Sequence, residues 1–441
     1  MSIASSGISQ LSKSLVRIRG PDATRFLNGL ITSRMLPDIV KKKQHTISDS
    51  ENRNINLTEI IDVSKNYGII HEDIYDPDMN ITVTRAGINS MILNSKGRVF
   101  SDCFLYPDPF HNVDGVFDNE MKGPGYILEV DSQISSQLMM LLKLHKLSAK
   151  VDITPEKKLY SYYYYTDTAE FDEWLENIQT QYFMSPDPVT ALQDANSFIK
   201  NEIFFSKNIA KNILGFAIDN RIPNFGVKFI TNEPISVMSD EGIPLDSVFS
   251  DSFKQEFEVI NVSEDVLTKR RFQSGLFETH DAPKDTSLLP FECNLDFVNG
   301  LSLDKGCYVG QELTIRSYNN GTIRKRIFPV EFFEDANAIG ELNKIPKSAL
   351  TKLEITPLND TTPEQEEPKE DQVFNPFSKS VRKRKTSVGK LLAVDDNLGL
   401  AVFSISDIKK NQLYKLEMPS LEGGNQAIGI KVNVPEWWPE W

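Results

Sequence analysis

Cysteine is scarce: 441 residues carry three, Cys103, Cys293 and Cys307, and no two form a C-x-x-C pair. That excludes a disulfide framework and a structural zinc site built on paired thiolates. It also leaves the chain one thiolate short of a four-cysteine iron–sulfur site. The five histidines show no H-E-x-x-H pattern, so a zinc-protease helix is excluded too. No apolar run approaches the roughly 20 residues a membrane-crossing helix needs, and membrane insertion is not expected. Basic charge is also short, with a net charge of −14, which argues against a nonspecific nucleic-acid or anionic-membrane binder but leaves room for a local basic patch. What remains is ordinary for a globular chain: 40% hydrophobic and 25% charged residues, with length for two or three domains.

One stretch is unusual. Lys305-Gly306-Cys307-Tyr308-Val309-Gly310-Gln311-Glu312, followed by Leu313-Thr314-Ile315-Arg316, sets a cysteine between glycines. Gly306 removes a side chain beside the sulfur, and Gly310 allows backbone angles that other residues resist. Helix-compatible residues follow, so the loop is expected to deliver Cys307 near a helix N-terminus, where the local positive end favours a thiolate. Lys305 and Arg316 would act in the same direction. Composition alone leaves the alternative open, an inert cysteine buried in a tight turn.

The rest of the chain reads as alternating strands and helices. Leu15-Val16-Arg17-Ile18-Arg19 alternates as a strand, and Asp22 is placed to cap a helix over residues 23–30. Residues 88–106 read as strand, turn and strand, with the reversal at residues 94–97. Tyr126-Ile127-Leu128-Glu129-Val130 is a short strand. A helix over residues 135–147 follows, with Leu138, Leu141, Leu142 and Leu144 on one side, and then a strand at Val151-Asp152-Ile153. Leu159-Tyr160-Ser161-Tyr162-Tyr163-Tyr164-Tyr165 is aromatic on both faces; a strand buried on both sides explains it more simply than nucleobase stacking. Helices are expected over residues 171–178 and from Ser263 to about Phe272, the latter with acids first and Lys269-Arg270-Arg271 last. Such alternation predicts an α+β layered fold. Residues 40–80 read as a mobile surface insertion and residues 335–385 as a disordered one, acidic at 364–371 and basic at 379–385. The basic run reads as a solvated loop, so no nucleic-acid partner is expected. Trp437, Trp438 and Trp441 are candidates for packing on the last domain or for docking.

The octapeptide resembles the motif of the YgfZ/GcvT-like folate-binding family, in its iron–sulfur assembly branch. Leu289-Pro290-Phe291-Glu292-Cys293-Asn294-Leu295-Asp296 before it and Gly321-Thr322-Ile323-Arg324-Lys325-Arg326 after it are similar as well. So are Asp22 to Thr32, the Leu93-Asn94 to Asp102 hairpin, Arg271 to Glu278 and Asp395 to Ala401. Ser317-Tyr318-Asn319-Asn320 departs from the family, which often has a further ring at that corner.

The resemblance implies two interleaved α+β domains around a central hole (residues 1–325) and a C-terminal β-barrel (residues 326–441). It implies tetrahydrofolate in the hole, with Asp102, Arg271 and Glu278 as pocket candidates. Strand-end, helix-end and turn roles remain open for these three residues. It further implies a factor that matures 4Fe–4S proteins in the mitochondrial matrix, with A-type scaffold proteins as partners and aconitase-type and radical-SAM enzymes as clients. Cys307 would then supply one ligand to a transient iron–sulfur cluster shared with a partner. Lys305, Gly306, Tyr308, Gly310, Gln311, Glu312 and Arg316 would shape the loop. The alternative is a tetrahydrofolate-dependent aminomethyltransferase or demethylase using Asp102 and Glu278, and a third is a folate-sensing module. The first 20 residues hold six serines, Lys13, Arg17 and Arg19 and no acid, the bias of a transit peptide. An ordinary first strand is the competing reading, because family-like sequence begins near Gly7.

Overall fold

The computed structural model describes residues 4–37, 57–72, 81–113, 123–237, 241–303, 305–321, 323–333, 336–358, 387–419 and 425–439. Its fold is α+β, built on three sheets. The first runs in the order Ser6–Gln10, Tyr160–Thr166, Val227–Thr231, Ile213–Ile218. The second runs Ile88–Leu93, Val99–Pro107, Gly125–Asp131, Lys13–Arg19, Asp152–Glu156. All pairings in both are antiparallel.

The two sheets are interleaved because the chain changes sheet between Gln10 and Lys13. Gly7 pairs with Tyr165 in one sheet, and Leu15 with Glu129 in the other. Each sheet is therefore completed by chain from both sides of the crossing. The tyrosine strand lies inside the first sheet and is buried on both faces. Tyr162 and Tyr164 enter an aromatic core with Phe171, Phe204 and Phe229, while Tyr163 and Tyr165 face Phe225 and Leu267 on the other side. The second sheet packs on the helices Ala23–Asn28 and Ser135–Lys146 through Leu27, Leu138 and Leu142. Leu144 departs from the expected face: it is 71% exposed.

The third sheet runs Glu354–Pro357, Leu413–Pro419, Asn425–Val432, Lys325–Phe333, Leu398–Ser404, Gly389–Asp395. Its ends approach each other, with Val388 N donating to Ile355 O at 3.0 Å, so the sheet curls toward a barrel. Trp438 packs on Phe297 and Phe328 at its base. The Trp437 indole N–H donates to Ser274 O, tying this unit to the helix Glu264–Ser274. Trp441 lies outside the described residues. No helix among the described residues is long and apolar enough to cross a membrane.

Two sequence expectations need correction. Within the supposed loop of residues 40–80, residues 57–72 are folded. Leu57, Ile61, Tyr67 and Ile70 pack with Ile81, Val83 and Ala191, and Ile69–His71 pairs with Thr82–Thr84. Apolar residues at these spacings were hidden in a polar average; residues 38–56 and 73–80 lie outside the described set. Likewise residues 336–358 form the helices Ala336–Leu342 and Lys347–Leu350 and an edge strand of the third sheet. The acidic and basic runs of 364–371 and 379–385 are outside the described residues.

Candidate functional site: an exposed cysteine and a charged cavity

The cysteine loop is anchored from both ends. Ahead of it, the Lys305 ammonium is buried and donates to three backbone carbonyls, Asn28 O at 2.7 Å, Ser33 O at 3.0 Å and Ile31 O. These are acceptors at and beyond the C-terminus of the helix Ala23–Asn28, where carbonyls lack helical partners. Val309 N adds a bond to Gly29 O at 3.0 Å. Behind the loop, Gly310 has φ 79° and caps the helix Gln311–Asn319. A Cβ on Gly310 would strike Asn94 O and stand 3.0 Å from the Gly97 Cα. The hairpin turn is thus seated against the helix start. Gln311 Oε1 accepts from Tyr308 N at 3.3 Å, closing the loop on itself.

Between these anchors Cys307 is exposed, whereas Cys103 and Cys293 are buried and burial pushes their thiols well above the usual range. Glu312 and Arg316 are exposed on the same helix, Gly306 is half-buried and Tyr308 is buried. Burial raises the Tyr308 hydroxyl to about 12. Lys305 does not take the role expected of it. Its ammonium faces carbonyls inside the molecule and the Tyr308 ring at 4.6 Å. Desolvation lowers its pKa to about 7, with Glu72 opposing. Among the described residues no three His, Cys, Asp or Glu side chains gather as a metal site.

The second feature is a cavity of about 240 Å³ where the chain crosses between sheets, lined by Lys13, Tyr163, Arg221, Phe225, Lys228 and Glu278 among others. Glu278 is its hub. Its carboxylate meets Lys13 Nζ and Arg221 Nη1, each at 2.7 Å, and Arg271 Nε at 3.8 Å. Burial would raise the Glu278 pKa, but Lys13, Arg271 and Arg221 outweigh it and hold the group well below the carboxylate range. Arg221 also clasps Asp219, and Lys228 pairs with Glu129.

Of the three pocket candidates, Arg271 and Glu278 line the cavity but are already engaged. Arg271 holds Asp281 through two bonds of 2.7 and 2.9 Å and also donates to Leu276 O. Asp102 does not line the cavity: Thr279 N, at 2.7 Å, and Thr279 Oγ1 both reach its Oδ1, and Oδ2 has no bond among the described residues. Burial and Glu278 raise the Asp102 pKa, but Lys13 and the Thr279 bonds bring it below normal. Arg270, beside Arg271, also lines the cavity; Asp167 takes its Nε and Nη2, while its buried Nη1 meets no acceptor among the described residues.

Sequence reasoning missed Lys13, Glu129, Asp219, Arg221 and Lys228. A signal was present for two of them. Glu129 and Lys228 stand inside strands buried on both faces and flanked by apolar residues, where an ion survives only with a partner.

Comparison with known proteins adds the following. The family description "CAF17, C-terminal beta-barrel domain" matches residues 324–440. The chain is 64% identical to the "Iron-sulfur cluster assembly factor IBA57 homolog, mitochondrial" of Candida albicans, over 98% of each chain. It is 56% identical to the protein of the same name from Debaryomyces hansenii, over 100% of each. It is 27% identical to the "Iron-sulfur cluster assembly factor IBA57, mitochondrial" of Saccharomyces cerevisiae, over 98% of this chain and 88% of that one. The glycine cleavage system aminomethyltransferase T of Bartonella henselae superposes with a TM-score of 0.48 at 9% identity, covering 99% of this chain and 88% of the other.

Proposed function

Because the chain belongs to the IBA57 family of mitochondrial iron–sulfur cluster assembly factors, we propose that it presents Cys307 as one ligand of a cluster completed by a partner protein. Its relatives carry a mitochondrial name, and the matrix is the compartment where this chemistry takes place. The exposure of Cys307 on a loop fastened at both ends carries the reading. Thiolates are the usual cluster ligands, and one accessible sulfur per chain suits a shared, transient site better than a resident one. The iron–sulfur cluster is cargo here. A-type scaffold proteins are the partners that fit, and aconitase-type and radical-SAM 4Fe–4S enzymes are the clients.

Tetrahydrofolate fits the cavity in part. Arg270 Nη1 would receive a carboxylate and Tyr163 lines the wall, whereas Asp102 is not among the lining residues and Arg270 already covers one face of Phe225. Bound there, it supplies a one-carbon carrier. The chain's own residues orient it, and Glu278 with Arg271 keeps the wall charged and fixed. An aminomethyltransferase would use Asp102 and Glu278 and does not need a thiol at Cys307.

The deciding experiment mixes the protein anaerobically with an A-type scaffold carrying a cluster. A spectroscopically distinct heterocomplex is expected with the native chain and not with Cys307→Ser. If Cys307→Ser forms the same complex and still supports aconitase and lipoate-synthase maturation, the shared-ligand reading fails. One-carbon product formation that disappears in Asp102→Asn would favour the transferase.

A further inference from the structure

We propose that the outer face of the helix Ser135–Lys146 is a peripheral docking surface for an anionic lipid bilayer. Met140, Leu144 and Leu147 are 74%, 71% and 87% exposed, the three most exposed large apolar side chains in the described chain. Met140 and Leu144, four residues apart, share one side of the helix, and Leu147 follows at its C-terminal cap. Leu138 and Leu142, on the opposite side, are fully buried against Val16, Tyr126 and Leu128 of the second sheet. The helix therefore cannot roll over to hide its outer row without uncovering the inner one.

Charge identifies what covers the row. Acids outnumber bases in the chain by 62 to 48, yet no acid occurs anywhere from residue 132 to 151. Lys143, His145 and Lys146 fill the last turn of the helix and Lys150 follows it. None of the three lysines is ion-paired with a described residue. Apolar side chains flanked by unpaired lysines match the apolar interior and anionic headgroups of a membrane surface. The shape agrees, because a single helix held down on its inner side is a convex ridge, suited to a flat, deformable surface. At 12 residues the helix is too short to cross a bilayer, so the contact is superficial. The leucines enter the acyl boundary and the lysines stay among the headgroups.

Sedimentation of the full-length protein with phosphatidylcholine vesicles, with and without cardiolipin, tests this. Binding is expected only with cardiolipin and is expected to weaken as salt screens the headgroups. Lys143→Gln and Lys146→Gln should each lower it about fivefold. The combined variant Met140→Ser, Leu144→Ser, Leu147→Ser should lower it about tenfold or more. Because those positions are exposed, its melting temperature should match the native protein's. Absence of cardiolipin-dependent binding at low salt overturns the proposal, as does undiminished binding by the triple variant. A native dimer that the triple variant dissolves would also overturn it, since a second copy would then be the occupant.

Discussion

Lys13 and Lys305 are both buried, and the difference between their surroundings separates the two halves of the functional region. Lys13 lies in the central cavity and meets the carboxylate of Glu278, so its pKa rises although burial works against it. Lys305 lies under the cysteine loop and meets carbonyl dipoles and the Tyr308 ring with no ion pair among the described residues, so burial prevails over the opposing charge of Glu72 and its pKa falls to about 7. At Glu278 the cavity balances charge with charge. The loop rests on a charge held by dipoles and only weakly offset by Glu72, which makes its anchor titratable.

The largest effect should come from breaking the cavity's balance. Glu278→Ala leaves Lys13, Arg221 and Arg271 without their shared carboxylate, and an unpaired buried charge costs about 3–5 kcal/mol. Urea unfolding should show it, and adding Lys13→Met should restore part of the loss. Lys305→Met is expected to cost less, about 1–3 kcal/mol, because it orphans carbonyls rather than ions. Its effect should be local, with faster amide exchange at Val309 and little change around Glu278.

The same pair sharpens the contrast through pH. Below about 7 Lys305 is charged in both the folded and unfolded chain, and the burial penalty is complete. As pH rises from 7 toward the ordinary lysine value, the folded protein releases this proton while the unfolded chain keeps it. The unfolded state then binds more protons, so stability rises with pH, by on the order of 1 kcal/mol per unit. Native protein should gain on Lys305→Met between pH 7 and 9. A flat difference would show that this lysine is not the titrating anchor. The Glu278 contribution has the opposite window: it is complete above the normal glutamate range and lost only as strong acid protonates the carboxylate.

What could be read from the chain alone divides along the same line. The cysteine loop is written in consecutive residues, so Gly310 and the helix beginning at Gln311 were visible in order. Strands such as Lys13–Arg19 and the hairpin of Ile88–Leu93 with Val99–Pro107 were visible for the same reason. The target of Lys305 was not, because its acceptors are carbonyls in a segment some 270 positions earlier, with |i−j| of 277, 274 and 272. Backbone acceptors leave no trace in side-chain identity. The cavity was legible only in outline. Its ion pairs join Lys13 to Glu278 from far along the chain and Lys228 to Glu129 across the two sheets, and no local pattern announces them. The insertions failed differently: Leu57, Ile61 and Tyr67 form a small cluster that window averaging concealed.

Two changes at the loop complete the series. Gly310→Ala places a Cβ against the backbone of Asn94 and Gly97 at φ 79°, where neither neighbour can yield easily. Strain of about 1–2 kcal/mol is expected, with the loop displaced as well. Cys307→Ser should have the smallest effect on folding, within about 0.5 kcal/mol, because an exposed sulfur supports nothing in the core. If it leaves the melting temperature unchanged while cluster transfer collapses, the sulfur is retained for a partner and not for the fold. If it instead destabilises the protein as much as Lys305→Met does, the loop is a packing element, and the contrast between a charge-balanced cavity and a presented thiol does not hold.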